Sequence, residues 1–378
     1  MPTVALDARE LAGRPTGVGR YLIELLKRWN NRSGAVASGY TFIPYAHQPL
    51  AAWTPFHERA VVLPGTGGTR WEQLTFASAL RRNPPDILFA PASTAPLTVN
   101  VPIALTIHDL SYVAHPEWFH WREGLRRRLL TRLSAQKASV VLTVSAFSAG
   151  EIVERLGIPP SNVRVIYHGA RNETANGAEA SYHSSRDEGE ASYHEPLILF
   201  VGSLFNRRYV PALLHAFAHV SREMPSAKLV IVGANRTYPR EDPASLAASL
   251  GIANRVEVRD YAPDDEIAAL YRRAAVFVFV SEYEGFGLTP LDALAYRVPI
   301  VVADTPLSRE IYGDAAVTVP AGDAHALSEA VLLLLKDAAR RQAALAAAPA
   351  VLARYSWDRA AAETLAAIDQ IAAQRVEM

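Results

Sequence analysis

The run Ser281-Glu282-Tyr283-Glu284-Gly285-Phe286-Gly287-Leu288-Thr289-Pro290-Leu291-Asp292 gathers residue types suited to a ligand bearing both hydroxyls and phosphates. An apolar stretch, Val276–Val280, leads into acidic residues and a glycine-flanked turn, and a helical pattern opens from that turn. Such a turn bares backbone N–H groups at a helix N-terminus, where the helix dipole favours phosphate. Gly285, Phe286, Gly287, Leu288 and Thr289 are therefore candidate ligand contacts. Glu284 and Asp292 stand eight positions apart, one before the turn and one after it. Carboxylates beside such amides suit a ligand with hydroxyls as well as phosphates, so the motif points to a nucleotide-sugar. Asp292 has a second, structural reading. Thr289 as N-cap, Pro290 at N1 and an acid at N3 would together resemble a capping box.

Other chemistry-bearing residues fall at the ends of apolar runs. Val201-Gly202-Ser203-Leu204-Phe205-Asn206-Arg207-Arg208 pairs a glycine, which permits close backbone approach, with two guanidiniums that can clamp a diphosphate. The bland reading is an exposed basic pair after a strand. Gly233 closes the next strand, and Arg259 and Tyr261 follow the one after; ordinary turns explain each of these equally well. Gly17-Val18-Gly19-Arg20-Tyr21 precedes a helical pattern with Leu22, Leu25, Leu26 and Trp29 on one face, and its amides can meet a phosphate. His108-Asp109-Leu110 ends the run Ile103–Ile107; without further information His108 reads as a satisfied core histidine. No Asp-x-Asp triplet and no cysteine occur, which leaves no evident metal ligands, no disulfide and no thiol chemistry.

These residues need elements to position them. Short β-branched runs alternate with helical patterns along all 378 residues, the mark of an α/β chain with parallel sheets. The length implies two domains. Seven candidate strands precede residue 170: Thr3–Leu6, Tyr40–Tyr45, Ala60–Leu63, Asp86–Ala90, Ile103–Ile107, Ser139–Val144 and Val163–Tyr167. Residues 171–195 are polar, contain EASYH twice, and read as a flexible loop or linker insertion; His183 and His194 within it read as solvated. Six more strands follow: Pro196–Gly202, Lys228–Gly233, Arg255–Arg259, Val276–Val280, Ile300–Ala303 and Ala316–Val319. The expected domains are 1–170 and 196–356, with ligands beyond the carboxyl ends of the strands and hence in a cleft between facing sheets.

Residues 281–292 resemble the retaining glycosyltransferases of family 4, whose signature is Glu, seven residues and Glu around a Gly-Phe-Gly turn; here the second acid is Asp292. The family pattern Gly-Ser/Thr-Leu, two residues, Arg-Lys-Asn is matched at Gly202, Ser203 and Arg207, with Arg208 for the Lys and Tyr209 for the Asn. Asp7-Ala8-Arg9, Gly17 to Tyr21 and Trp71-Glu72-Gln73 resemble the mannosyl- and rhamnosyl-transferase branch, and Arg20 and Glu310 also fall on family positions. The resemblance implies the GT-B fold: two Rossmann-like doubly wound domains facing a central cleft, with a C-terminal helix (357–378) crossing back to the N-terminal, acceptor-side domain. It implies that Glu284 with Gly285, Phe286 and Gly287 bind the donor sugar, and that His108 faces it, Glu284 and His108 being the catalytic candidates. It assigns the diphosphate to Gly17, Gly19, Gly202, Ser203, Arg207, Arg208, Leu288 and Thr289, and the nucleoside to Gly233, Arg259, Tyr261 and Asp292. The expected activity is metal-independent hexosyl transfer with retention, mannosyl from GDP-mannose, to a glycan or lipid-linked acceptor. The co-substrate is the nucleoside diphosphate sugar, with no cofactor. A nucleotide-sugar epimerase and a non-catalytic nucleotide-sugar binding protein are the alternatives.

Formal net charge is zero, with 38 basic and 38 acidic residues, so no global field draws nucleic acid. One local basic segment stands out. Trp118 to Leu133 mixes Trp and Leu with Arg122, Arg126, Arg127, Arg128 and Arg132, and a helix there places Leu125, Leu129 and Leu133 on one face with Arg on the other. It reads either as a membrane-surface helix or as an ordinary amphipathic helix with a solvated basic face. With no signal-peptide pattern at residues 1–13 and no apolar run of about 20 residues, the expected location is cytoplasmic, peripheral to the inner face of a membrane if the first reading holds.

Overall fold

The computed structural model describes residues 1–13, 15, 17–30, 39–171 and 195–376, the last three by backbone alone. The expected linker, apart from its two end residues, lies outside the described residues, as do His183 and His194. Two compact units emerge: Met1–Gly169 with Tyr355–Met378, and Ala170–Arg354.

The first unit is built on seven strands, β1 (Thr3–Asp7), β2 (Thr41–Ala46), β3 (Val61–Val62), β4 (Ile87–Ala90), β5 (Ile103–Ile107), β6 (Val140–Thr143) and β7 (Val163–Val165). All run parallel, in the order β3-β2-β1-β4-β5-β6-β7. Central β1 is buried from Val4 to Asp7, and Val4 lies between Phe42 and Ile87. Both faces of such a strand are covered by helices, which is why its sequence is apolar without alternation. The expected third strand shrinks to two residues because it is an edge, with Val62 exposed.

The C-terminal helix, Trp357–Val376, belongs to this first unit. Trp29 Nε1 donates to the Ala361 carbonyl at 3.1 Å, and Arg28 pairs with Asp358 at 2.7 Å. The Trp357 ring stacks on His168 at 5.2 Å.

Six parallel strands form the second unit: β8 (Leu197–Val201), β9 (Lys228–Val232), β10 (Val256–Arg259), β11 (Ala274–Phe279), β12 (Ile300–Ala303) and β13 (Ala316–Val319). Their order is β10-β9-β8-β11-β12-β13. From β8 the chain winds outward to β9 and β10, then returns to place β11 against β8 on the other side. The pair β8–β11 is therefore the topological switch point, where loops leaving adjacent strand ends diverge and open a crevice. Strand β11 starts at Ala274, two residues before the expected start, because the helix Asp264–Arg273 runs straight into it.

Trp357→Ala removes a buried ring that anchors the C-terminal helix. The expected loss is about 3–5 kcal/mol of stability, read by urea denaturation.

Candidate functional site

At the β8–β11 switch point the exit loop of β8 carries Arg207 and Arg208, and that of β11 carries Glu284. Arg208 Nε donates to Glu284 Oε1 at 2.7 Å, and its Nη1 donates to the Ser203 carbonyl at 2.6 Å. Arg207 Nε donates to the Tyr283 carbonyl at 2.8 Å and lies 3.7 Å from Glu284 Oε1. Ser281 Oγ donates to the same carboxylate oxygen at 2.9 Å. Phe205 lies under both guanidiniums, 4.3 Å from Arg207 and 5.3 Å from Arg208, and Phe279 lies 4.8 Å from Arg208. The two loops are also tied through Glu282: its N–H donates to the Arg207 carbonyl at 3.0 Å, and Tyr209 Oη donates to its side chain. Residues 207–209 are thereby bonded to residues 282–284.

The arginines are not the exposed pair that a basic run after a strand suggests, since Arg207 is only 6% exposed. Burial alone would raise the Glu284 pKa, but the charges of Arg208 and Arg207, with hydrogen bonds from Arg208 and Ser281, outweigh it and bring the value down to about 2. Glu284 is thus ionised at neutral pH. One carboxylate between two guanidiniums leaves the trio with net positive charge, which suits a further anion.

Beyond Glu284 the turn ends at Gly287, whose φ of 85° favours glycine, and any Cβ there would collide with the Tyr312 hydroxyl. That hydroxyl donates to the Gly287 carbonyl at 2.9 Å. The helix Leu288–Ala295 follows, capped by Gly287 and not by Thr289. Thr289 and Pro290 lie inside its first turn, and Asp292 lies beyond N3, so the capping-box reading of Asp292 is corrected. A left-handed glycine had already set the start of the helix before Thr289 was reached. Asp292 is instead buried, 2% exposed, with its Oδ2 3.7 Å from Arg171 Nε. The amides of Leu288 and Thr289 are among the first four of the helix, which lack intrahelical acceptors.

Gly202 and Gly233 end β8 and β9 back to back. A Cβ on Gly233, whose φ is 155°, would overlap the Gly202 carbonyl, so the strand ends can lie this close only without a side chain. Gly233 N–H donates to the Arg259 carbonyl at 2.8 Å. The Arg259 side chain turns to Glu257 at 2.6 Å and Glu266 at 3.1 Å, and Tyr261 is 55% exposed. Arg207, Arg208, Ser203 and Glu284 are therefore brought together; the Arg259 guanidinium is committed to its own ion pairs.

Within the first unit, Gly17 and Gly19 do not precede the helix as expected but form its first turn, Gly17–Asn30. His108 sits at the end of β5 with Nε2 donating to the Pro91 carbonyl at 2.8 Å, its ring edge-on to Tyr21 at 4.9 Å and 5.5 Å from His168. Burial holds its pKa below the usual imidazole range, so it is neutral at pH 7. The motifs Asp7-Ala8-Arg9 and Trp71-Glu72-Gln73 also meet. Arg9 bonds Glu72 and Thr94 and lies 2.9 Å from Asp7, whose carboxyl is raised to about 6 because burial outweighs that arginine.

Ser281, Tyr312 and Arg171 were not anticipated. Ser281 had a signal, since it stands three residues before Glu284; nothing in the sequence joins Tyr312 to Gly287 or Arg171 to Asp292. Among the described residues no group of three or more His, Asp or Glu is placed to hold a metal ion.

The low pKa of Glu284 fixes a sign for acid stability. Between about pH 2 and 4.5 the unfolded chain binds the proton that folded Glu284 does not, so stability rises with pH there and the contribution is complete above 4.5. Glu284→Gln removes it. Wild type should exceed the variant by on the order of 3 kcal/mol at pH 7, and urea titrations should show the gap closing as pH falls from 4.5 towards 2.

The family profile for "Glycosyl transferases group 1" matches residues 183–350, and that for "Glycosyltransferase Family 4" matches 15–173. The O-antigen chain mannosyltransferase B of Escherichia coli is 26% identical over 69% of this chain and 68% of that protein. The O-antigen chain mannosyltransferase RfbU of Salmonella typhimurium is 24% identical over 70% of this chain and 68% of that protein. The D-inositol 3-phosphate glycosyltransferase of Corynebacterium diphtheriae is 29% identical, and there the match spans 65% of the relative's length. Among solved structures, Anabaena HepE in complex with UDP-glucose superposes with a TM-score of 0.72 at 19% identity, covering 100% of this chain and 99% of that one. WaaG, a glycosyltransferase involved in lipopolysaccharide biosynthesis, gives 0.74 at 15% identity over 96% and 98%. With its two halves matched by these two profiles and the GT-B fold shared by these structures, the chain belongs to the family 4 glycosyltransferases.

Proposed function

We propose that this chain is a retaining hexosyltransferase that moves mannose from GDP-mannose to a hydroxyl of a glycan or lipid-linked glycan. The observation that carries the reading is the Arg207–Arg208–Glu284 cluster at the switch point of the second unit, beside the first turn of the helix Leu288–Ala295. The two O-antigen mannosyltransferases among its relatives support mannose. Arg207 and Arg208 stabilise the leaving diphosphate together with the Leu288 and Thr289 amides, a charge-stabilising role that needs no metal ion in this reading. Glu284 fixes the guanidiniums and, with the Gly285–Gly287 backbone, addresses the sugar hydroxyls, while Asp292 takes the ribose. In the first unit, Gly17 and Gly19 present the amides of a helix's first turn, which suit an anion, and neutral His108 is the catalytic candidate. Retention follows from same-face attack with the leaving phosphate as base, since no side chain stands out as a nucleophile.

A thermal-shift panel of GDP-, UDP- and dTDP-sugars tests the donor, because a ligand bound by the native state raises the melting temperature. GDP-mannose should give the largest shift. Its consumption should require acceptor; consumption without acceptor would point to an epimerase, and none under any condition to a binding protein. A larger shift with UDP-glucose would overturn the choice of donor.

Arg207→Ala and Arg208→Ala should each weaken nucleoside diphosphate binding by about 1.5–3 kcal/mol, the scale of a charge-assisted hydrogen bond. Calorimetry on the folded variants that finds affinity unchanged would place the phosphate elsewhere. Asp292→Asn should weaken the same ligand while Asp292→Glu retains it. Equal affinity in wild type and Asp292→Asn would remove Asp292 from the nucleoside site.

A further inference from the structure

The helix Trp121–Lys137 packs on the first unit in the opposite sense to its sequence. An ordinary amphipathic helix buries its leucines. Here the inward residues are Gly124, Thr131, Ser134 and Ala135, and two of them are tied by hydrogen bonds, Thr131 to Tyr112 at 2.9 Å and Ser134 to Ala95 N–H at 3.0 Å. The apolar side chains face out: Trp121 is 64% exposed, Leu125 54%, Leu129 56% and Leu133 38%. Spaced by four, they form one stripe along the helix. Arg122, Arg126 and Arg132 are exposed on that same side: rotations of about 100° per residue place Arg122 and Arg132 within the arc the stripe spans and Arg126 just beyond its Leu133 edge. The expectation of leucine on one face and arginine on the other is therefore corrected: the outward face carries both.

We propose that this face docks on an anionic lipid bilayer. The occupant follows from the charge and the apolar stripe together. Between Trp121 and Lys137 the chain carries five Arg and one Lys against the single acid Glu123, although the whole protein is balanced at 38 and 38. Two copies meeting through this face would bring like charges together, which disfavours self-association. A nucleic acid backbone would satisfy the guanidiniums and leave the leucines in water. An anionic membrane satisfies both. The leucines and Trp121 enter the headgroup boundary while the arginines extend their stems along it and keep their charges at the lipid phosphates. Arg122, 5.0 Å from the Trp121 ring, already adopts such a pairing. The proposal is independent of the donor assignment, since none of these residues belongs to the switch-point cluster.

The test is co-sedimentation of the full chain with vesicles of phosphatidylcholine alone and with 30–40% (roughly) phosphatidylglycerol added. Recovery with the anionic vesicles should exceed that with neutral ones by at least about tenfold and fall as salt rises. Leu125→Ser with Leu129→Ser should lower partitioning by about tenfold or more. Arg126→Glu with Arg132→Glu should abolish the anionic preference. Unchanged melting temperatures would show that these exposed substitutions leave the fold intact. Equal recovery on both vesicle types, or binding indifferent to the leucine pair, would overturn the proposal. So would a concentration-dependent dimer in sedimentation velocity that the leucine substitutions dissolve, which would assign the face to a second copy.

Discussion

The second unit depends on one electrostatic arrangement: a carboxylate held between two guanidiniums at the junction of two diverging strand loops. Burying Glu284 by itself would be costly, and burying Arg207 by itself would be too. Together they offset that cost, because Ser281 adds a bond to Glu284, the Ser203 carbonyl takes one from Arg208 and the Tyr283 carbonyl one from Arg207, and Phe205 and Phe279 supply π faces for the cations. The loops leaving β8 and β11 therefore acquire a defined mutual geometry before any ligand arrives. Preorganisation of this kind lets fixed charges act on a leaving group without reorganising.

Glycine geometry supplies the second constraint. Gly287 turns the chain in a conformation that places Tyr312 against its carbonyl and starts the following helix one residue later. Gly233 allows β8 and β9 to end in contact through backbone alone. The site thus consists largely of backbone held by glycines and side chains held by charge. Unit one uses a different device at its own strand ends, where neutral His108, Tyr21, His168 and Trp357 form a ring cluster that also seats the C-terminal helix.

Much of the site was legible from local pattern. Short β-branched runs marked the strands, and β5, β12 and β13 have the limits read from the sequence. The family signature singled out Arg207, Arg208 and Glu284 because each lies in a short motif after a strand, where parallel sheets display ligand-binding groups. What that reading could not supply was their mutual bonding. Residues 76 positions apart meet only because β11 is inserted beside β8. For the same reason the partnerships of Tyr312 with Gly287 and Arg171 with Asp292 left no trace in the sequence.

Sequence alone determined the α/β class, the family and the residues able to do chemistry, since composition, periodicity and motif are local properties of the chain. Tertiary structure decided which way those residues face. A capping box at Thr289 and Asp292 was plausible by spacing, yet the αL turn at Gly287 had already fixed where the helix begins. The helix Trp121–Lys137 makes the point most plainly. Its periodicity set the leucines in a stripe, but periodicity assigns no side of a helix to the core. Gly124, Thr131, Ser134 and Ala135 face inward because small side chains allow close packing and Thr131 and Ser134 find hydrogen-bond partners there, and that packing leaves the leucines in solvent.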